Sequence, residues 1–130
     1  VKRTILLIED NEQNRYLATF LLEKHDYTVV AAPTGQLGIE LAQTLLPDLI
    51  LLDIQLPVMD GYTVANRLRG VGSLAATPIV AVTSYAMMGD REKSLEAGCN
   101  GYIEKPINPE TFVPEIEQFL LPHPSTRRKP

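Results

Sequence analysis

Four short apolar runs rich in Ile, Leu and Val lie near residues 4–8, 27–32, 48–52 and 78–83, with a weaker fifth at 101–104. Each has the length of a strand. In Ile5–Ile8 and Leu49–Leu52 the apolar residues follow one another without alternation, the pattern of a strand buried on both faces, as in a parallel sheet covered by helices. Between the runs the period becomes helical: Leu17, Phe20 and Leu21 fall at i, i+3, i+4, and Gly38, Leu41, Ala42 and Leu45 at i, i+3, i+4, i+7. Three more helices are expected near 61–69, 89–97 and 108–121. Thr34 suits the N-cap of the second helix and Pro47 its stop, Gly98 suits the end of the fourth, and Asn108 with Pro109 reads as a cap and first-turn pair. Pro114 lies inside the last of these segments, where a proline removes a helix hydrogen bond and crowds the carbonyl of Glu110, so that helix should start late or kink. Five β-then-α alternations with right-handed crossovers predict an α/β fold, a doubly wound five-stranded parallel sheet with five helices on its two faces. Residues 1–121 are expected to form the domain, and 122–130, with three prolines and no apolar anchor, a disordered tail or the start of a linker.

Composition narrows the classes. The chain has 130 residues, 45% hydrophobic and 22% charged, which suits one globular domain with a core of its own. Three of its 12 basic residues are Arg127, Arg128 and Lys129, leaving nine against 16 acidic residues in the rest. Such a body repels nucleic-acid phosphates and anionic membranes. No apolar run exceeds four residues, far short of the ~20 that cross a bilayer. A single cysteine, Cys99, forms no internal disulfide and fits a reducing cytoplasm. The chain starts at Val1 without a methionine, as expected of a processed or excised protein.

In an open α/β sheet, ligands bind beyond the carboxyl ends of the strands, and those ends are acidic here. The first run is followed by Glu9 and Asp10 and the third by Asp53, while the fourth ends in Thr83 and Ser84 and the fifth in Glu104, Lys105 and Pro106. Were the first and third strands neighbours, three carboxylates would share one pocket. Their mutual repulsion calls for a cation, and an all-oxygen donor set suits a hard divalent ion such as Mg²⁺. Lys105 and the Thr83 hydroxyl at the same rim could hold phosphoryl oxygens, with a carboxylate as nucleophile.

Five motifs in order, Ile8-Glu9-Asp10-Asn11, Asp53 through Gly61 (DIQLPVMDG), Ala81-Val82-Thr83-Ser84, and Tyr102-Ile103-Glu104 followed by Lys105-Pro106, resemble the receiver domains of two-component response regulators over roughly residues 4–121. The resemblance implies a flavodoxin-like sheet of strand order 2-1-3-4-5. It implies that Asp53 accepts a phosphoryl group from a phosphohistidine on a sensor histidine kinase or a histidine phosphotransfer protein. Asp10, Asp53 and the backbone carbonyl of Gln55 would coordinate Mg²⁺, with Glu9 acting through a metal-bound water, and Lys105 and Thr83 would hold the phosphoryl oxygens. Pro106 would follow a cis peptide bond, and Tyr102 would be the aromatic that changes rotamer, together with Thr83, when phosphorylation reshapes the surface of the fourth helix, fifth strand and fifth helix. A monomer or a phosphorylation-dependent dimer, with no direct nucleic-acid or membrane binding, completes the expectation. Tyr85, two positions beyond Thr83, is expected to shield the phosphoryl group from water.

Other readings fit less well. An aspartate-nucleophile phosphohydrolase needs a second Asp where Gln55 stands, and a flavin-binding electron carrier needs Ser, Thr and Gly where Glu9, Asp10, Asn11 and Glu12 follow the first strand. A receiver silent to phosphorylation would not keep Glu9, Asp10, Asp53, Thr83 and Lys105 together. A stand-alone receiver and one cut from a longer regulator or hybrid kinase both remain open. His25 and His123 are expected in solvent, Cys99 as a small buried or half-buried side chain before the fifth strand, Met87 and Met88 as gap fillers or part of a partner surface, and Arg127–Lys129 as a solubilising tail.

Overall fold

The structure, a computed structural model, describes residues 2–84 and 88–120. Tyr85, Met87, the Met88 side chain, His123 and the rest of the 122–130 segment lie outside the described residues.

Strands β1 (Thr4–Ile8), β2 (Thr28–Ala32), β3 (Leu49–Asp53), β4 (Ile79–Thr83) and β5 (Gly101–Glu104) form one sheet in the order β2-β1-β3-β4-β5. All four pairings are parallel, with Ile8 opposite Ala32 and Leu52, Asp53 opposite Val82, and Thr83 opposite Glu104. Helices α1 (Glu12–Lys24), α2 (Gly35–Leu45), α3 (Gly61–Arg69), α4 (Met88–Glu96) and α5 (Phe112–Glu117) connect and follow the strands. This is the doubly wound fold and strand order expected above.

The uninterrupted apolar runs split between the two faces with the strand period of two. Ile5, Leu7, Leu49, Leu51, Val80 and Val82 pack with Ala18, Leu21 and Leu22 of α1 and Phe112, Val113 and Ile116 of α5. Leu6, Ile8, Ile50, Leu52, Ile79 and Ala81 face the other way, onto Ile39 and Ala42 of α2, Val64, Ala65 and Leu68 of α3, and Ala97 just past α4. Full burial of each large aliphatic side chain contributes on the order of 2 kcal/mol.

The helix ends follow local chemistry. The Asn11 side chain accepts from the Asn14 N–H at the start of α1, Thr34 from Leu37 at α2, and Asp60 from Thr63 at α3. Gly98 has φ +111°, a left-handed conformation that closes α4 while the Cys99 N–H reaches back to the Ser94 carbonyl at 3.0 Å. The last helix starts late within the expected 108–121 segment, as Pro114 requires, and ends at Glu117. Asn108 caps a preceding turn, its side chain accepting from the Glu110 N–H at 2.9 Å, and helix begins only at Phe112. Pro114 thereby occupies the first helical turn, where a missing N–H costs no bond.

Arg69 at the end of α3 ties the far edge together. Its guanidinium donates to the carbonyls of Gly98 (2.8 Å), Leu74 (2.9 Å) and Thr77 (2.8 Å) and to the Asn100 side chain (2.7 Å), whose oxygen also accepts from the Ile79 N–H that opens β4. Burial lowers the Arg69 pKa and pushes the neighbouring Cys99 thiol up to about 11. Cys99 is therefore a protonated, buried packing group, as expected.

Candidate functional site

The strand order reverses direction at β1 and β3, whose carboxyl ends lie side by side because Ile8 pairs with Leu52. The residues that follow must converge there. Glu9, Asp10 and Asp53 each offer a carboxylate oxygen, and these atoms all lie within 4.8 Å of one another. Glu9 and Asp53 are only 3% and 2% exposed, while Asp10 faces solvent. Lys105, just past β5, reaches into the same place: its Nζ is 3.2 Å from Asp53 Oδ1 and 3.4 Å from Glu9 Oε1. The Lys105–Pro106 peptide is cis, as expected.

Backbone contacts hold this cluster. The Glu9 N–H continues the β1–β2 pairing to the Ala32 carbonyl, and the Asn11 N–H donates to Glu9 Oε2 at 3.2 Å. Arg15, one turn into α1, donates from Nη1 to the carbonyl oxygens of Glu9 (3.0 Å) and Asp10 (3.1 Å). It fixes the backbone of the acidic pair. On the other side the Gln55 N–H donates to Asp53 Oδ1 at 3.0 Å. Gly61 lets α3 start against this turn, because a Cβ there would stand 2.6 Å from the Asp53 carbonyl oxygen and the Ile54 Cα.

Charge in the pocket is unbalanced among the described residues, with the carboxylates of Glu9, Asp10 and Asp53 against the ammonium of Lys105. The consequence appears at Glu9, whose pKa is pushed up to about 7, first by burial and then by the Asp53 charge, with Lys105 opposing. An all-oxygen donor set, partly exposed through Asp10 and short of positive charge, fits a hard divalent cation. Repulsion between carboxylates is the physical signature of such a site.

Thr83, only 1% exposed at the end of β4, joins the cluster through Gln55. Gln55 Nε2 donates to Thr83 Oγ1 at 2.7 Å, and Gln55 Oε1 accepts from the Ser84 N–H at 3.1 Å. Tyr102 lies apart from the carboxylates, on β5, where its half-buried ring packs against the α2–α3 side of the core and the Arg91 guanidinium sits 5.8 Å from the ring centroid. Thus Glu9, Asp10, Asp53, Gln55, Thr83 and Lys105 come together, and Tyr102 stands next to the helix that follows β4. Two contributions were not anticipated: the Arg15 clamp and the side chain, as distinct from the backbone, of Gln55. The only trace of Arg15 in the sequence is its place four residues after the Asn11 cap.

The chain matches the family model of the response regulator receiver domain over residues 5–117. It is 38% identical over 118 residues to the polar-differentiation response regulator DivK of Brucella anthropi, covering 91% of this chain and 96% of that one. Chemotaxis protein CheY4 of Vibrio cholerae superposes with a TM-score of 0.89 at 26% identity, over 92% of this chain and 100% of that one. The receiver domain of a sensor histidine kinase from Pseudomonas aeruginosa, solved with a magnesium ion coordinated in its active-site cleft, gives a TM-score of 0.84 at 33% identity, covering 92% and 98%.

Proposed function

Because this chain belongs to the response regulator receiver domain family of two-component signalling, we propose that Asp53 is its phosphoacceptor and that phosphorylation switches the surface around α4, β5 and α5. The observation that carries the reading is the meeting of Asp53 with both a basic and an acidic partner set: Lys105 Nζ at 3.2 Å, and Glu9 and Asp10 with oxygens within 4.8 Å. An Asp53 carboxylate oxygen attacks the phosphorus of a phosphohistidine on a sensor kinase or phosphotransfer protein. A P–O bond forms, the P–N bond breaks, and the leaving imidazole takes a proton.

Lys105 and the Thr83 hydroxyl supply donors for the phosphoryl oxygens. Asp10, Asp53 and the Gln55 carbonyl would hold Mg²⁺, with Glu9 acting through a bound water. Mg²⁺, when bound, supplies the positive charge that lets a dianionic phosphoryl group approach three carboxylates. The magnesium-containing kinase receiver is a similar protein that holds this ion. A groove of about 520 Å³ runs along β5, lined among others by Arg91, Leu95, Tyr102, Glu104, Thr111 and Phe119. Its walls come from α4, β5 and α5, so a turn of the Tyr102 ring, following Thr83, reshapes the face offered to a partner. The domain is read as residues 1–121, acting as a switch and not as an enzyme on other substrates.

The test is labelling by a small-molecule phosphodonor such as acetyl phosphate with millimolar Mg²⁺. The wild-type chain should gain one phosphoryl group, and Asp53→Asn, with an unchanged far-UV spectrum, none. Undiminished labelling of Asp53→Asn would refute the assignment.

A further inference from the structure

We propose that the Gln55 side chain is a latch that holds Thr83 in its unphosphorylated position and so sets how readily phosphorylation becomes a change of shape. The inference rests on the reading above, in which Thr83 moves toward a phosphoryl group on Asp53. The orientation of the amide follows from its neighbours. A backbone N–H can only donate, so the Ser84 N–H at 3.1 Å fixes Oε1 on its side and leaves Nε2 to donate to Thr83 Oγ1 at 2.7 Å. Meanwhile the backbone N–H of the same residue is held by Asp53 Oδ1 at 3.0 Å. One residue therefore joins the phosphoacceptor carboxylate to two successive groups at the end of β4.

A hydrogen bond is lost once its heavy atoms part beyond about 3.5 Å, so a shift of the Thr83 hydroxyl by ~1 Å away from the amide breaks the 2.7 Å Nε2 contact. The amide cannot follow freely, because its other end is tied to Ser84. Thr83 is almost wholly buried, which shields this bond from competing water. Each ligand that draws Thr83 inward must first overcome it. Removal of Gln55's amide should consequently favour the phosphorylated shape, a direction opposite to that of ordinary damage at a binding site. Side-chain substitution leaves the Gln55 carbonyl, assigned above to Mg²⁺, in place.

The probe is beryllium trifluoride with Mg²⁺, a non-covalent mimic of the phosphoryl group, titrated into wild type, Gln55→Leu, Thr83→Ala and the double variant. Gln55 is half-buried in a loop, and Gln55→Ala repeats the test should the Leu variant not fold. The latch predicts tighter binding of the mimic by Gln55→Leu, about fivefold, the size of one neutral hydrogen bond, and loss of that gain in the Thr83→Ala background. Equal or weaker binding by Gln55→Leu, or a gain that persists without the Thr83 hydroxyl, overturns the latch while leaving the phosphoacceptor assignment standing. Failure of the wild-type chain to bind the mimic removes that assignment, and the latch with it.

Discussion

Glu9 shows how a single side chain reports the burial and the unmet charge of the site. Its pKa of about 7, against 4.5 for an unperturbed glutamate, means that the fold favours the protonated carboxyl. The stability associated with that preference is fully present below pH 4.5 and is lost as pH rises through about 7. In chelator, the chain should therefore become less stable between pH 4.5 and 7, by an amount that Glu9→Gln abolishes. Millimolar Mg²⁺ should offset the loss above pH 7, because the ion binds the ionised pocket only when the fold assembles it. Thermal melts at several pH values, with and without Mg²⁺, measure both effects. An unchanged pH slope in Glu9→Gln would show that the pH-dependent cost lies elsewhere. The residue types of this site were legible from the sequence because Glu9, Asp10, Asp53, Thr83 and Lys105 all stand at strand ends. The side-chain bonds of Gln55 and Arg15 were not, since a long polar side chain has several partners in reach and only the three-dimensional path of two loops selects among them.

At the level of the elements, legibility followed burial. β1 and β3 were plain because four successive apolar residues bounded by polar ones fit a strand covered on both sides. β5 was weaker, having just Tyr102 and Ile103 to pack, and α5 starts late, as Pro114 led one to expect, because Asn108 serves a turn four residues ahead of Phe112. The Arg69 clamp was invisible, as it satisfies backbone carbonyls and, among the described residues, has no carboxylate partner to suggest it. The start of α3 yields a prediction. Gly61→Ala drives a Cβ to 2.6 Å from backbone atoms of Asp53 and Ile54, which cannot give way without moving the turn after Asp53. Overpacking of this kind costs about 1 to 3 kcal/mol, more than the gain in helix propensity from Gly to Ala of roughly 1 kcal/mol at most. Chemical denaturation should show the loss, and phosphoryl labelling should slow as well. A variant as stable and as quickly labelled as wild type would mean that the turn is not held by this contact.

Across the whole molecule, the contacts that close the fold and the cluster of polar site residues lie in different places. The α1–α5 side closes the chain on itself: Tyr27, just before β2, donates its hydroxyl to Glu117 of α5 at 2.6 Å, and burial followed by that carboxylate pushes the phenol up to about 12. Tyr27→Phe should destabilise the domain by about 1 to 2 kcal/mol, the worth of a hydrogen bond to a charged group whose partner can return to solvent. Its melting temperature should fall by several degrees with labelling of Asp53 unaffected, whereas an unchanged melt would make the pair incidental. No helix among the described residues is long and apolar enough to cross a membrane. The carboxyl end of the sheet holds the proposed chemistry, in which every step from kinase to a reshaped α4, β5 and α5 would pass through one bond, that between phosphorus and the Asp53 carboxylate. The most direct measurement is to phosphorylate the wild-type chain, reduce the acyl phosphate with borohydride, which converts a phosphorylated aspartate into homoserine, and map the product by peptide mass spectrometry. Homoserine should appear at position 53 alone; its appearance at Asp10 or any other acidic position, with Asp53 unmodified, would contradict the assignment.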